Sequence, residues 1–173
     1  IYRPRRHEER NVIAFGTGGW RGVIGEGFTL HNVRRLCQAL ANAVTRRDDE
    51  SQGVLIGFDR RFLSDRAAHA AAEVFAGNNI PVILLEEDVP TPLVTYATAL
   101  VAAAYGLVFT ASHNPPEWNG LKVFKSDGAL LLDSEVAAIE AEANRLTTSD
   151  LVKIDLDLAL DAGVVESRDF TNE

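Results

Sequence analysis

The chain has 173 residues, 46% hydrophobic and 24% charged, with a net charge of -8. That is enough chain for one core of ordinary size, with the composition of a globular domain. The acidic balance argues against nucleic-acid binding, no apolar run is long enough to span a bilayer, no signal-peptide pattern opens the chain, and a single cysteine, Cys37, precludes an internal disulfide; a cytoplasmic setting is expected.

Residues 1–11 carry Arg3, Arg5, Arg6, His7, Glu8, Glu9 and Arg10 and read as a solvated arm. Val12 to Gly25 reads as two short strands around a glycine-rich loop. Its spacing lacks a third glycine, with Arg21 in that place, and no helix follows directly, so a dinucleotide or Walker-type cradle is not expected. Leu30 to Arg47 repeats Val33, Leu36, Cys37, Leu40 and Val44 at helical spacing, with Arg46 and Arg47 at the end that the helix dipole favours for cations. Cys37 lies on the apolar stripe and is expected to be buried rather than reactive.

Gly53 to Asp59 is a buried strand followed by Asp59-Arg60-Arg61. Ser64-Asp65 is expected to cap a helix to about Gly77. His69, within it, has no second ligand at metal spacing. Pro81 to Leu85 is a third buried strand. Thr91-Pro92 opens a helix to about Ala103, with Thr as cap and Pro at the first position. Tyr105 to Phe109 is the next strand.

Thr110-Ala111-Ser112-His113-Asn114-Pro115-Pro116-Glu117-Trp118-Asn119-Gly120-Leu121-Lys122 follows. The prolines hold the residues before them in extended backbone, and Asn119-Gly120 suggests a second turn. A stiff loop at a strand end, with Ser112 in the open, is expected where α/β sheets keep their chemistry. Leu121 to Lys125 is a strand and Ser126 to Ala129 a turn. Asp133-Ser134 is expected to cap a helix to about Leu146. Residues 154–162 suggest a short helix, and Val164-Val165 a final strand. There is no internal repeat. Strands alternating with helices predict an α/β fold: a three-layer α/β/α domain with a mixed, largely parallel sheet. The expected domain runs over 12–168, with 169–173 starting a linker.

Thr-Ala-Ser-His-Asn-Pro followed by Asn-Gly-Leu-Lys resembles the phosphoserine loop of the α-D-phosphohexomutases, the family of phosphoglucomutase and phosphomannomutase. Phe15-Gly16-Thr17-Gly18-Gly19-Trp20-Arg21-Gly22 is similar to that family's N-terminal motif, and Gly57-Phe58-Asp59-Arg60-Arg61 to its Gly-Tyr-Asp-x-Arg segment, with Phe58 for the usual Tyr. The resemblance implies an isomerase that interconverts hexose 1-phosphate and hexose 6-phosphate, glucose or mannose, through a bisphosphorylated sugar. It implies that Ser112 carries the phosphoryl group and that Arg21 and Lys122 neutralise it. Lys122 becomes the candidate for proton transfer to the sugar hydroxyl. His113 and Asn114 shape the loop, Thr17 joins the phosphate contacts, and Asp59, Arg61, Asn119 and Gly120 support the loop. It also implies one Mg2+ touching the Ser112 phosphoryl oxygen and an activator of the glucose 1,6-bisphosphate type.

In the family the carboxylate-rich metal loop, the sugar loop and the distal phosphate clamp lie in later domains. Asp155-Leu156-Asp157 is the nearest look-alike of the metal loop and lacks a third Asp at Ala159. The resemblance therefore covers this whole chain but about a third of an enzyme. The remaining domains of the parent chain and a phosphosugar are the expected partners, and this chain alone is expected to be inactive. Two rival readings are a non-catalytic phosphosugar-binding module and a serine hydrolase with His113 as base. The hydrolase is disfavoured because adjacent side chains in extended backbone point to opposite sides, and because the Gly-x-Ser-x-Gly elbow is missing.

Overall fold

A computed structural model describes residues 12–16, 18–47 and 52–170. The 1–11 arm, Thr17 and 171–173 lie outside the described residues. The elements are β1 (Phe15–Gly16), β2 (Gly19–Val23), α1 (Leu30–Arg46), β3 (Val54–Phe58), α2 (Ser64–Gly77), β4 (Val82–Leu85), α3 (Thr91–Leu100), β5 (Tyr105–Phe109), β6 (Trp118–Lys125), α4 (Asp133–Arg145), α5 (Leu156–Asp161) and β7 (Val165–Arg168). A short 3-10 turn spans Thr148–Asp150.

The strands form one sheet in the order β1-β2-β6-β5-β3-β4-β7. β5, β3, β4 and β7 are mutually parallel. The β1–β2, β2–β6 and β6–β5 pairs are antiparallel. Thus β2, β3, β4, β5 and β7 run one way and β1 and β6 the other, which is the expected mixed sheet. The chain steps from β3 to β4 and then back past β3 to β5. Right-handed crossovers then put α2 and α3 on opposite faces. One core packs α1, α2, α4 and α5 on the face holding Trp20, Ile56, Tyr105, Leu107, Phe109, Leu121 and Val123. A smaller one packs α3 on the face holding Leu55, Leu85, Val108 and Phe124. Trp20 stacks on Phe28 with centroids 5.3 Å apart. Cys37 is wholly buried and burial pushes its thiol far up, so it is inert as expected.

Helix starts depart from expectation in one consistent way. Thr29, not anticipated, caps α1 by accepting from Asn32 N at 3.1 Å. The three expected caps do not act so. Ser64 is the first residue of α2, after Leu63 at φ +67°, and its hydroxyl donates to Asp59 Oδ1 at 2.9 Å. Thr91 is the first residue of α3, after Pro90. α4 starts after Leu132, whose N–H is satisfied by the Glu135 carboxylate at 2.8 Å. α3 also stops at Leu100, short of Ala103, because Ala102 turns left-handed at φ +52°. Asp155 caps α5 by accepting from Asp157 N at 3.1 Å. Phe170 is buried against the α3-side core.

Asn119 and Gly120 do not form a turn. Both lie inside β6, where Arg21 pairs with Gly120 and Gly22 with Asn119. The cross-strand ladder to β2 overrides the local turn preference of the dipeptide.

Candidate functional site

The carboxyl ends of the parallel strands lie at one end of the sheet, and the loop after β5 leaves from there. Ser112 and His113 on it are exposed. The Thr110 hydroxyl accepts from Ser112 N at 3.0 Å, so the residue two before the serine holds its backbone. Ser112 has φ +58°, a left-handed value that side-chain-bearing residues adopt only where their surroundings impose it.

Arg61 imposes it. Its Nη2 donates to Ser112 O at 2.8 Å and to Asn114 O at 2.7 Å. Its Nη1 donates to Pro115 O at 2.9 Å and to Trp118 O at 3.1 Å. Four carbonyls of one loop thus converge on a single guanidinium, whose planar fork suits several acceptors at once. Asp59 orients that arginine. Asp59 Oδ2 lies 3.5 Å from Arg61 Nε, and Oδ1 accepts from Arg61 N at 2.9 Å as well as from Ser64. The Asn119 amide, wholly buried, donates to Ser64 Oγ at 2.9 Å and to Phe62 O at 3.0 Å. Asp59, Ser64 and Asn119 therefore tie the end of β3 to the start of β6, beneath the loop.

Alternation along β6 sends Leu121 and Val123 into the larger core. Gly120 and Lys122 accordingly face the α3 side. Arg21, opposite Gly120, shares that face. Arg21 and Lys122 stand in the diagonal relation across two strands that long side chains can bridge, about 7–8 Å apart. The missing side chain at Gly120 is what Arg21 requires. A Cβ there would collide with Trp20 O and lie 3.0 Å from Arg21 Cα and 3.1 Å from its Cγ. Over that gap Arg21 Nη1 reaches Asn114 Oδ1 at 2.7 Å. Lys122 is partly exposed and has no hydrogen-bond or ion-pair partner among the described residues.

The structure thus brings together Arg21, Asn114, Arg61, Asp59 and Asn119 around the Ser112 loop, by direct bonds. Lys122 joins them by strand register, and Thr17 lies outside the described residues. An open depression of about 560 Å³ beside Ser112 is lined by Asp59, Arg60, Arg61, Phe62, Asn114 and Pro116. A separate cleft of about 450 Å³ near α4 is lined by Asp133 and Glu140. Its carboxylates have the wrong sign for phosphate.

His113 corrects one expectation. Ser112 Oγ and His113 Nδ1 lie 3.5 Å apart, on the same side, because the chain turns here rather than running extended. That separation is at the long limit of a hydrogen bond, and only a weak one. No residue orients the other ring nitrogen among the described residues. The constellation lacks the third member that hydrolytic activation needs. Sequence reasoning missed Ser64 and Thr110. Thr110 was legible as a hydroxyl two residues before the serine; Ser64 had no signal beyond its use as a cap.

Residues 12–150 match the model of the family described as phosphoglucomutase/phosphomannomutase, alpha/beta/alpha domain I. The chain is 32% identical over 151 residues to a phosphoglucomutase of Staphylococcus haemolyticus, covering 86% of this chain and 27% of that protein. It is 41% identical over 133 residues to a phosphoglucosamine mutase of Alkalilimnicola ehrlichii, covering 74% and 28%. The solved structure of a candidate phosphomannomutase from Thermus thermophilus superposes with a TM-score of 0.77 at 35% identity, covering 92% of this chain and 34% of that one. The chain therefore spans between a quarter and about a third of the length of these relatives. Its loop, its sheet and these likenesses agree: the chain belongs to the phosphoglucomutase/phosphomannomutase family and corresponds to its N-terminal α/β/α domain I.

Proposed function

We propose that this chain is the phosphoserine-bearing domain of a phosphohexomutase that interconverts hexose 1-phosphate and hexose 6-phosphate, with glucose or mannose as the sugar. The observation that carries the reading is an exposed Ser112 on a loop whose backbone is clamped by Arg61 and whose Asn114 holds Arg21. Phosphoryl transfer asks for alignment and charge neutralisation more than for covalent help, and this loop offers both.

In the forward half-reaction the bond from phosphorus to Ser112 Oγ breaks and a bond from phosphorus to a free sugar hydroxyl oxygen forms. The sugar hydroxyl loses its proton and Ser112 Oγ gains one. Lys122 is the residue assigned to carry it, while Arg21 and Lys122 balance the phosphoryl charge. His113 and Asn114 keep the loop in shape. The resulting bisphosphate turns over and returns its other phosphoryl group to Ser112, which explains the need for a glucose 1,6-bisphosphate-type activator to charge an empty serine. Thr17 is assigned to the same phosphate.

Mg2+ is expected in the whole enzyme, but the described residues do not form its site. They contain no group of three His, Cys, Asp or Glu side chains able to hold a metal. Asp59, the carboxylate lining the serine's depression, is already engaged by Arg61 and Ser64. Among the described residues a phosphoryl oxygen on Ser112 is the ligand this chain would contribute, with carboxylates supplied by later domains of the parent. Among the described residues no helix is long and apolar enough to cross a membrane, and a cytoplasmic enzyme is the setting we propose.

Intact-mass analysis of the parent protein after incubation with glucose 1,6-bisphosphate tests the reading. A single phosphoryl adduct that maps to Ser112 supports it, and its absence favours a binding module instead. This chain by itself is expected to convert no glucose 1-phosphate.

A further inference from the structure

The turn that carries the serine has a second consequence. Asn114 N donates to Ala111 O at 3.1 Å, closing four residues with Ser112 and His113 at the centre. φ is +58° at Ser112 and is not positive at His113. A hydrogen-bonded four-residue turn with that pattern of φ matches the type II′ class, whose first central position ordinarily takes glycine. Turns of this class have ψ of about -120° at that position, which leaves the nitrogen of the next residue eclipsed with Cβ. The His113 N–H is thereby placed alongside the Ser112 side chain. Arg61 Nη2 meanwhile draws the Ser112 carbonyl toward itself at 2.8 Å. In a planar trans peptide the following N–H must point the opposite way. The amides on either side are already engaged, Ser112 N by Thr110 Oγ1 and Asn114 N by Ala111 O. The His113 N–H has no acceptor among the described residues.

From this we infer that the backbone amide of His113 is a preformed hydrogen-bond donor to a phosphoryl group on Ser112 Oγ, aimed by Arg61. The inference rests on the phosphoserine reading and adds a catalytic group to it. It also gives a reason for the strained turn: a relaxed turn of another class would rotate this N–H away from the serine side chain. A fixed backbone donor in place before the charge arrives needs no reorganisation during transfer. In this account the imidazole of His113 is secondary to its amide.

The test uses this chain with phosphoserine genetically encoded at 112, followed by proton–nitrogen NMR from about pH 5 to about pH 8, across the second phosphate ionisation near 6. The His113 amide should show the largest downfield displacement in the chain, following that ionisation, with slowed solvent exchange. Arg61→Met should abolish the displacement while the signals of β3 and β4 stay in place. A His113 amide that moves no more than amides remote from the loop would overturn the inference. In the parent protein, replacing His113 by its α-hydroxy acid analogue removes only the N–H, and should slow transfer about a hundredfold or more, as loss of an oxyanion donor does. His113→Gln keeps the N–H and should cost far less; the reverse order would also overturn the inference. Because the phosphoserine is supplied synthetically, the NMR result stands whether or not the parent charges Ser112 itself.

Discussion

Arg60 and Arg61 are consecutive and do opposite work. Arg61 has a side chain 15% exposed and holds four carbonyls of the serine loop. Arg60 has a side chain 89% exposed and meets Asp88, Nε to Oδ2 at 2.6 Å, in the loop after β4. Both loops leave the same end of the sheet. The loop after β5 is built around a cation, with its backbone as the ligand set. The loop after β4 is held by Val89 N to Phe58 O at 2.9 Å and by a pair that solvent screens. The difference locates the rigidity: it is concentrated where a transferable group would have to be positioned, and its neighbour does without it.

Removing the clamp should have the largest effect. Arg61→Met leaves four carbonyls without their charged donor, and hydrogen bonds to charged groups are worth about 1.5–3 kcal/mol each without adding fully. We expect a stability loss of at least about 2 kcal/mol in denaturant unfolding. Phosphoryl transfer in the parent should fall about a hundredfold or more, because a shift of about 1 Å in a reacting group costs that much. If transfer survived in a folded Arg61→Met protein, the contrast between the two loops would have no functional meaning.

Gly120→Ala comes next. The new Cβ would press on Trp20 O and on the stem of Arg21, and overpacking of this kind costs about 1–3 kcal/mol. Arg21 should lose Asn114, and weak binding of inorganic phosphate to this chain should fall with it. Lys122→Arg keeps the charge and removes easy proton exchange. Transfer should drop about a hundredfold with the fold intact, as loss of a positioned proton carrier does. Undiminished turnover would remove the proton role from Lys122 and leave it a counter-charge only.

A pair on the helical face sharpens the comparison from a third position. Glu142 on α4 meets Arg46 of α1 at 2.7 Å and accepts from Asn42 at 2.7 Å. Burial pushes its carboxyl up, but the Arg46 and Asn42 hydrogen bonds outweigh it and hold the group below its usual range. A carboxyl that is more acidic in the folded state contributes stability above the unfolded-chain pKa, and that stability is lost as pH falls through the folded value. Denaturant midpoints should therefore decline toward acid, and Glu142→Gln should flatten part of that decline.

How much of this is legible in the sequence depends on the range of the forces involved. The central strands β3, β4 and β5, the stripe on α1 and the exposed serine follow from local periodicity and turn chemistry, and they stand where expected. The Asp59–Arg61 pairing was legible because the two residues are nearly adjacent. The four-carbonyl clamp was not, since it depends on β3 and β5 lying side by side. Asn119-Gly120 misled because an Asn-Gly dipeptide prefers a turn in isolation, whereas pairing with Arg21 and Gly22 makes it strand. Ser64 misled similarly: a hydroxyl that would cap α2 is drawn to the Asp59 carboxylate and the Asn119 amide. Both of these misses are long-range contacts overriding a local preference.

Arg60→Ala should have the smallest effect, and it tests the contrast most directly because it is the other half of it. Its partner Asp88 is about a third exposed and the guanidinium almost wholly so. Coulomb attraction there competes with water and with the side-chain entropy needed to hold the pair. We expect no measurable change in unfolding midpoint, and no change in transfer by the parent once salt is raised to screen long-range charge. A large loss of transfer at high salt would mean that Arg60 reaches the phosphosugar itself. The pair would then be a resting arrangement that substrate displaces, and the two neighbouring arginines would serve one site from two sides.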